Sequence, residues 1–145
     1  MRHSLTPLIV LLAGLVVGRL HAEDTNAADL TAIAGQWQLM SIEFAGELRD
    51  VPGGDEAVVV FKDDKAFVKE VEQFSFKLDS TTDPKIIDFT RTADPDKGQI
   101  LEGIYKLDGD TLTVCLWSGM GTKSRPSEFA TKPGTVHVLV VMKRK

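Results

Sequence analysis

Residues 99–117 read QILEGIYKLDGDTLTVCLW. Two runs rich in apolar and β-branched residues flank Asp108-Gly109, a dipeptide that tolerates the positive φ angles of a two-residue type I′ turn. Runs of that composition joined so closely predict an antiparallel hairpin. A turn at Asp108-Gly109 sets Leu107 opposite Asp110, Tyr105 opposite Leu112, Gly103 opposite Val114 and Leu101 opposite Leu116. Side chains alternate between the two faces of a strand, so one face gathers Leu101, Tyr105, Leu107, Leu112, Val114 and Leu116. The other carries Glu102, Lys106, Thr111 and Thr113, with Ile104 and Cys115 among them. A one-residue slip would turn the apolar set out to water, which is why the pattern specifies the inner face.

Outward from this hairpin, similar short runs recur between turn residues, at 36–44, 57–61, 66–70, 73–78, 85–90 and 136–143. The last is apolar on both faces, as a strand covered on both sides would be. With the hairpin these make about eight strands on short connections, which predicts an all-β fold: an antiparallel up-and-down barrel. Residues 23–33, EDTNAADLTAI, are acidic and Ala-rich and read as a flexible leader holding a short helical turn, with Asn26 or Asp29 able to cap it. Residues 34–145 then form the one barrel domain.

Arg2 and His3 precede an apolar run at 8–17, and His21-Ala22 stands before the acidic pair Glu23-Asp24. These are the parts of a secretory signal over residues 1–22, cleaved after Ala22. The run is shorter than the ~20 residues of a membrane span, so export to the periplasm, cell envelope or exterior is expected rather than anchorage. With 17 basic against 21 acidic residues the chain has a formal charge of −4, and the signal contains only basic charges. An acidic protein repels phosphate backbones, which argues against nucleic acid and anionic membrane surfaces as partners. Cys115 is the single cysteine, so the domain must stand on its apolar core without an internal disulfide.

Gly35-Gln36-Trp37 opens the first strand. A Gly-x-Trp at this place resembles the signature of lipocalins and their relatives, in which the Trp closes one end of the barrel and a late basic residue packs over its ring. The resemblance gives Trp37 that role and offers Lys143 or Arg144 as its cationic partner. Four longer stretches widen it: DSTTDPKIIDF at 79–89, KGQILEGIYKLDGDTLTVCL at 97–116, RPSEF at 125–129 and VLVVMKR at 138–144. In this order they resemble a bacterial lipocalin-like domain family found as many exported paralogues in planctomycetes. The resemblance spans residues 34–145 and implies a lipocalin-like barrel. It implies no activity, because the family has none established and fold alone does not supply one. The sequence is shorter than true lipocalins and has neither their C-terminal helix nor their disulfide, which implies a barrel with little room inside.

The connection 118–135 is long, rich in Gly, Ser, Thr and Pro, and basic through Lys123, Arg125 and Lys132 against Glu128. Loops of this length in compact domains are commonly functional. As a lid at the barrel mouth it would offer Arg125 as a handle for an anion and Phe129 as an apolar plug. Alternatively, Arg125 pairs with a neighbouring acid and Phe129 anchors the loop to the core. Tyr105, Leu112 and Val114 on the inner face complete a candidate ligand site with Arg125 and Phe129.

Cys115 and His137 are too few for a metal site, and as a nucleophile pair they lack a third orienting group and an oxyanion turn. The acids Asp94, Asp96, Asp108 and Asp110 lack the spaced series of a calcium loop. The expectation is therefore a non-enzymatic binding module without metal or cofactor, holding a small apolar or amphipathic ligand at the barrel mouth. The alternative is a barrel without a cavity that docks a protein partner at the envelope through the 118–135 loop.

Overall fold

The computed structural model describes residues 17–145, with side chains from Thr25 onward. Helix α1 (Val17–Ile33) leads into β1 (Gly35–Phe44), β2 (Glu47–Arg49), a short 3-10 turn (Gly54–Ala57), β3 (Val58–Lys62), β4 (Lys65–Val68) and β5 (Val71–Asp79). There follow β6 (Lys85–Arg91), β7 (Ile100–Asp108), β8 (Thr111–Trp117) and β9 (His137–Arg144). Each strand from β3 to β9 pairs antiparallel with the next, and β1 pairs with both β3 and β9. The sheet thereby closes on itself as a barrel of eight strands, with β2 attached outside the circuit as an exposed ribbon on the end of β1. All eight strands expected from the sequence are present.

The central hairpin forms, but its register is two residues from the expected one. Asp108 stays in the ladder opposite Thr111, which gives Leu107 opposite Leu112, Tyr105 opposite Val114 and Gly103 opposite Leu116. The turn is Gly109-Asp110, and Gly109 takes a positive φ of 57° while neither aspartate does. That is the type II′ arrangement, with glycine at the first central position; it spares Asp108 the left-handed conformation that a type I′ turn demands. A shift of two preserves the alternation, so the inner and outer faces are those read from the sequence.

The short helical turn expected within residues 23–33 is present and longer than expected: the whole segment belongs to α1. Ala27, Ala28 and Ala32 favour helix, and Leu30 and Ile33 pack into one end of the barrel. Asn26 and Asp29 do not cap the helix, which starts further upstream. Asn26 Oδ1 instead accepts the Ser80 backbone N–H at 2.8 Å, and Asp29 Oδ2 accepts both Lys85 Nζ at 2.8 Å and the Tyr105 hydroxyl at 2.7 Å. The secretion signal expected over 1–22 lies, as far as residue 16, outside the described residues.

At the helix end the interior is filled by Ile33, Trp37, Phe76, Ile87, Tyr105 and Leu112, all buried. Trp37 Nε1 donates to Ile33 O at 2.7 Å, and the Arg144 guanidinium lies 4.4 Å from the Trp37 ring centroid. Arg144 also donates to the carbonyls of Ala32 and Ala34, joining the last strand to the end of α1. Of the two cations considered for closing the barrel, Arg144 does so. Lys143 is exposed, one position along the strand and on its other face.

Candidate ligand cavity

The half of the barrel remote from α1 is not filled. It holds an apolar hollow of about 210 Å³. Leu39, Val59, Phe61, Ala66 and Phe74 line one side; Phe89, Leu101, Val114, Leu116, Val140 and Met142 line the other. The space follows from side-chain size. Ala66 is small, and Val59, Val114 and Val140 are short, whereas the helix end has Trp37, Phe76 and Tyr105 at comparable positions. Leu39, Val59, Phe74, Leu116 and Val140 are only half-buried although they point inward, so the hollow meets solvent at the end away from the helix.

At that mouth, Arg91 stands directly opposite Phe74 in the β5–β6 ladder and so shares its inward face. Its guanidinium is 5.5 Å from the Phe74 ring centroid, and its Nε donates to Gln99 Oε1 at 2.8 Å. Gln99 Nε2 in turn donates to Gly119 O at 3.1 Å, which fixes the amide.

Of the five residues expected to line a ligand site, Val114 alone borders the hollow. Leu112 and Tyr105 point inward but belong to the filled end. Tyr105 donates to Asp29, with Lys85 bound to the same carboxylate oxygen, so it fastens α1 to the barrel rather than facing a ligand. Burial, followed by the hydrogen bond to the Asp29 carboxylate, pushes the Tyr105 phenol above its usual range. The folded state thus holds this proton more tightly than the unfolded chain does. The associated stability is fully present below the unfolded value of about 10 and is lost as pH rises beyond it. Tyr105 is the sole tyrosine. Its ultraviolet titration should therefore stay silent in the native protein until alkaline unfolding, and Tyr105→Phe should weaken the alkaline loss of stability. Free titration of the native phenol near pH ~10 would contradict this assignment.

Arg125 and Phe129 lie outside the barrel, so the 118–135 connection is not a lid. Arg125 Nη1 binds Asp88 at 2.7 Å and Gly103 O at 2.8 Å, and Lys123 faces Glu102 at 3.5 Å. Further along, Thr131 Oγ1 donates to Glu43 at 2.6 Å and accepts the Gly46 N–H at 3.0 Å. The Phe129 ring lies 4.7 Å below Lys106 Nζ. The connection is a strap across the outer wall from β6 to β1, drawn there by the outer-face acids and by the apolar pair Ile104 and Cys115. Both of these are buried although they belong to the outer face.

Cys115 Sγ lies 3.9 Å from Ala130 O, and burial pushes its thiol up to about 11. His137 sits instead with Ser124, Nε2 to Oγ at 2.9 Å, so Cys115 and His137 do not form a nucleophile pair.

Sequence reading missed most of the lining, Arg91 among the mouth residues, and Asp29 as a fastener. The alternation of Phe74, Phe76 and Leu78, continued by Ile87 and Phe89, was the available signal for the inner face; it extends to Arg91 by parity alone.

These features define a class: a closed β-barrel, filled and helix-capped at one end, hollow and open at the other. No protein family, curated protein or solved structure matches the chain. What the site can do rests on its own geometry.

Proposed function

We propose that this protein is a non-enzymatic binding module whose barrel takes a small apolar or amphipathic ligand through its open mouth. The observation that supports this most is the hollow itself, walled by eleven apolar side chains. An apolar cavity of ~150 Å³ takes benzene, whereas pockets for drug-sized ligands start near ~300 Å³. The 210 Å³ here lies between, enough for roughly eight heavy atoms by proportion. The basic, apolar N-terminus of residues 1–22 supports action outside the cytoplasm, and the likeness to exported lipocalin-like bacterial domains accords with it. The other function considered, docking of an acidic protein partner through the 118–135 strap, has less support. Its cations Lys123, Arg125 and Lys132 already face Glu102, Asp88 and Glu128.

Native mass spectrometry with medium-chain fatty acids, alkylbenzenes and short alcohols tests the proposal. Wild-type protein should retain species of up to about eight to ten heavy atoms and reject sterols, in keeping with the cavity size. Ala66→Leu, which adds methylenes to the hollow, should lower affinity at least ~10-fold without loss of stability. Absence of any retained apolar species from the wild-type spectra would sink the proposal.

A further inference from the structure

We propose that Arg91 is a head-group site at the mouth of the hollow, and that the ligand is a small monocarboxylic acid with its apolar tail inside. This rests on the barrel being a ligand carrier at all. Among the described side chains, Arg49, Arg125 and Arg144 each face a carboxylate: Glu47 at 3.8 Å, Asp88 at 2.7 Å and Asp110 at 3.6 Å. Arg91 has no carboxylate partner among the described residues. Its recorded side-chain contacts are the Phe74 ring and Gln99 Oε1, and the latter engages Nε alone. The terminal nitrogens Nη1 and Nη2 thus keep the donors that bind a carboxylate side by side.

The position of the group gives it a role. Phe74 is both a wall of the hollow and the platform on which the guanidinium rests, so charge and cavity share one residue. The contact with the Phe74 ring and the Gln99 bond hold the planar cation in place, which reduces the ordering lost on binding. The hollow contains no polar side chain, so a tail without heteroatoms fits it and a polar chain does not.

The charge class follows from the surroundings. Arg91 ends β6 on the inward face it shares with Phe74, and the turn that follows carries Asp94 and Asp96 against Lys97. A single guanidinium without a carboxylate partner among the described residues matches the one charge of a monoanion. With the tail limited to roughly eight heavy atoms, octanoate and phenylpropionate are fitting probes.

Calorimetric titration of the full chain with octanoate and its methyl ester separates head group from tail. Wild-type protein should prefer the acid by about 10-fold or more, the effect of a charge-assisted bidentate contact at a partly exposed site. Arg91→Gln should remove that preference while leaving ester affinity within about threefold; Arg91→Lys should keep part of it. Ala66→Leu should weaken both ligands together. Equal wild-type affinities for acid and ester, or an acid preference that survives Arg91→Gln, would overturn the head-group assignment while leaving the carrier function standing. Binding of neither compound would overturn both.

Discussion

Replacing Trp37 with alanine is expected to cost about 3–5 kcal/mol of folding stability, the range for removing a buried tryptophan. The ring is fully buried, and three things depend on it at once. It fills the helix end of the barrel beside Ile33 and Leu112. Its N–H satisfies Ile33 O at 2.7 Å, one of the last carbonyls of α1, which otherwise lacks a partner within the helix. It also gives the Arg144 guanidinium a face to rest on at 4.4 Å, a contact of about 0.5–1 kcal/mol or more where water is excluded. Trp37→Phe keeps the bulk and loses the N–H, so it should cost less, about 1–2 kcal/mol. Urea denaturation of the two variants measures both costs. Equal, sub-kilocalorie effects would mean that the helix end is not the keystone described.

Gly103→Val is expected to be the other severe change, for a different reason. A Cβ at this position would meet the Cys115 carbonyl oxygen at 2.8 Å, Leu116 Cβ at 3.0 Å and the Ile87 carbonyl oxygen at 3.3 Å. Two of these atoms belong to the backbones of neighbouring strands, which cannot swing aside as the tip of a flexible side chain can. The Gly103 carbonyl is also held by Arg125 at 2.8 Å, so any displacement of β7 disturbs the strap outside as well. Overpacking at such a site costs about 1–3 kcal/mol for small additions, and the branched valine should sit at the upper end, with Gly103→Ala smaller and of the same sign. Thermal melting reads it directly: a Tm unchanged by Gly103→Val would show that β7 has slack the geometry denies.

Much of the barrel was legible in the sequence because strand periodicity survives small errors of register. The Asp108-Gly109 pair located the hairpin, and a turn one residue further on altered every pairing without moving a side chain to the wrong face. Helix α1 was read as a leader with only a short helical turn because a polar, alanine-rich segment shows its full helical extent only once Leu30 and Ile33 have a barrel end to enter. The candidate site fared worse. Whether a barrel is full depends on where its largest side chains gather, and the clustering of Trp37, Phe76 and Tyr105 at one end is a property of three dimensions. The strap was misplaced for a related reason: Ile104 and Cys115 on the outer face were the sign that something must cover that wall, and Arg125 follows Asp88 and Glu102 to it.

The seam between β1 and β9 couples the barrel to the direction of synthesis. Trp37 meets Arg144 across this seam, so the first strand made must wait for the last. Until β9 emerges, β1 and β8 each present a bare edge and the apolar lining stands open, the condition under which nascent β-proteins associate with one another. Contacts so distant along the chain are slow to form. For this protein the vulnerable interval falls before folding is complete, and the residues that end it are the final few of β9.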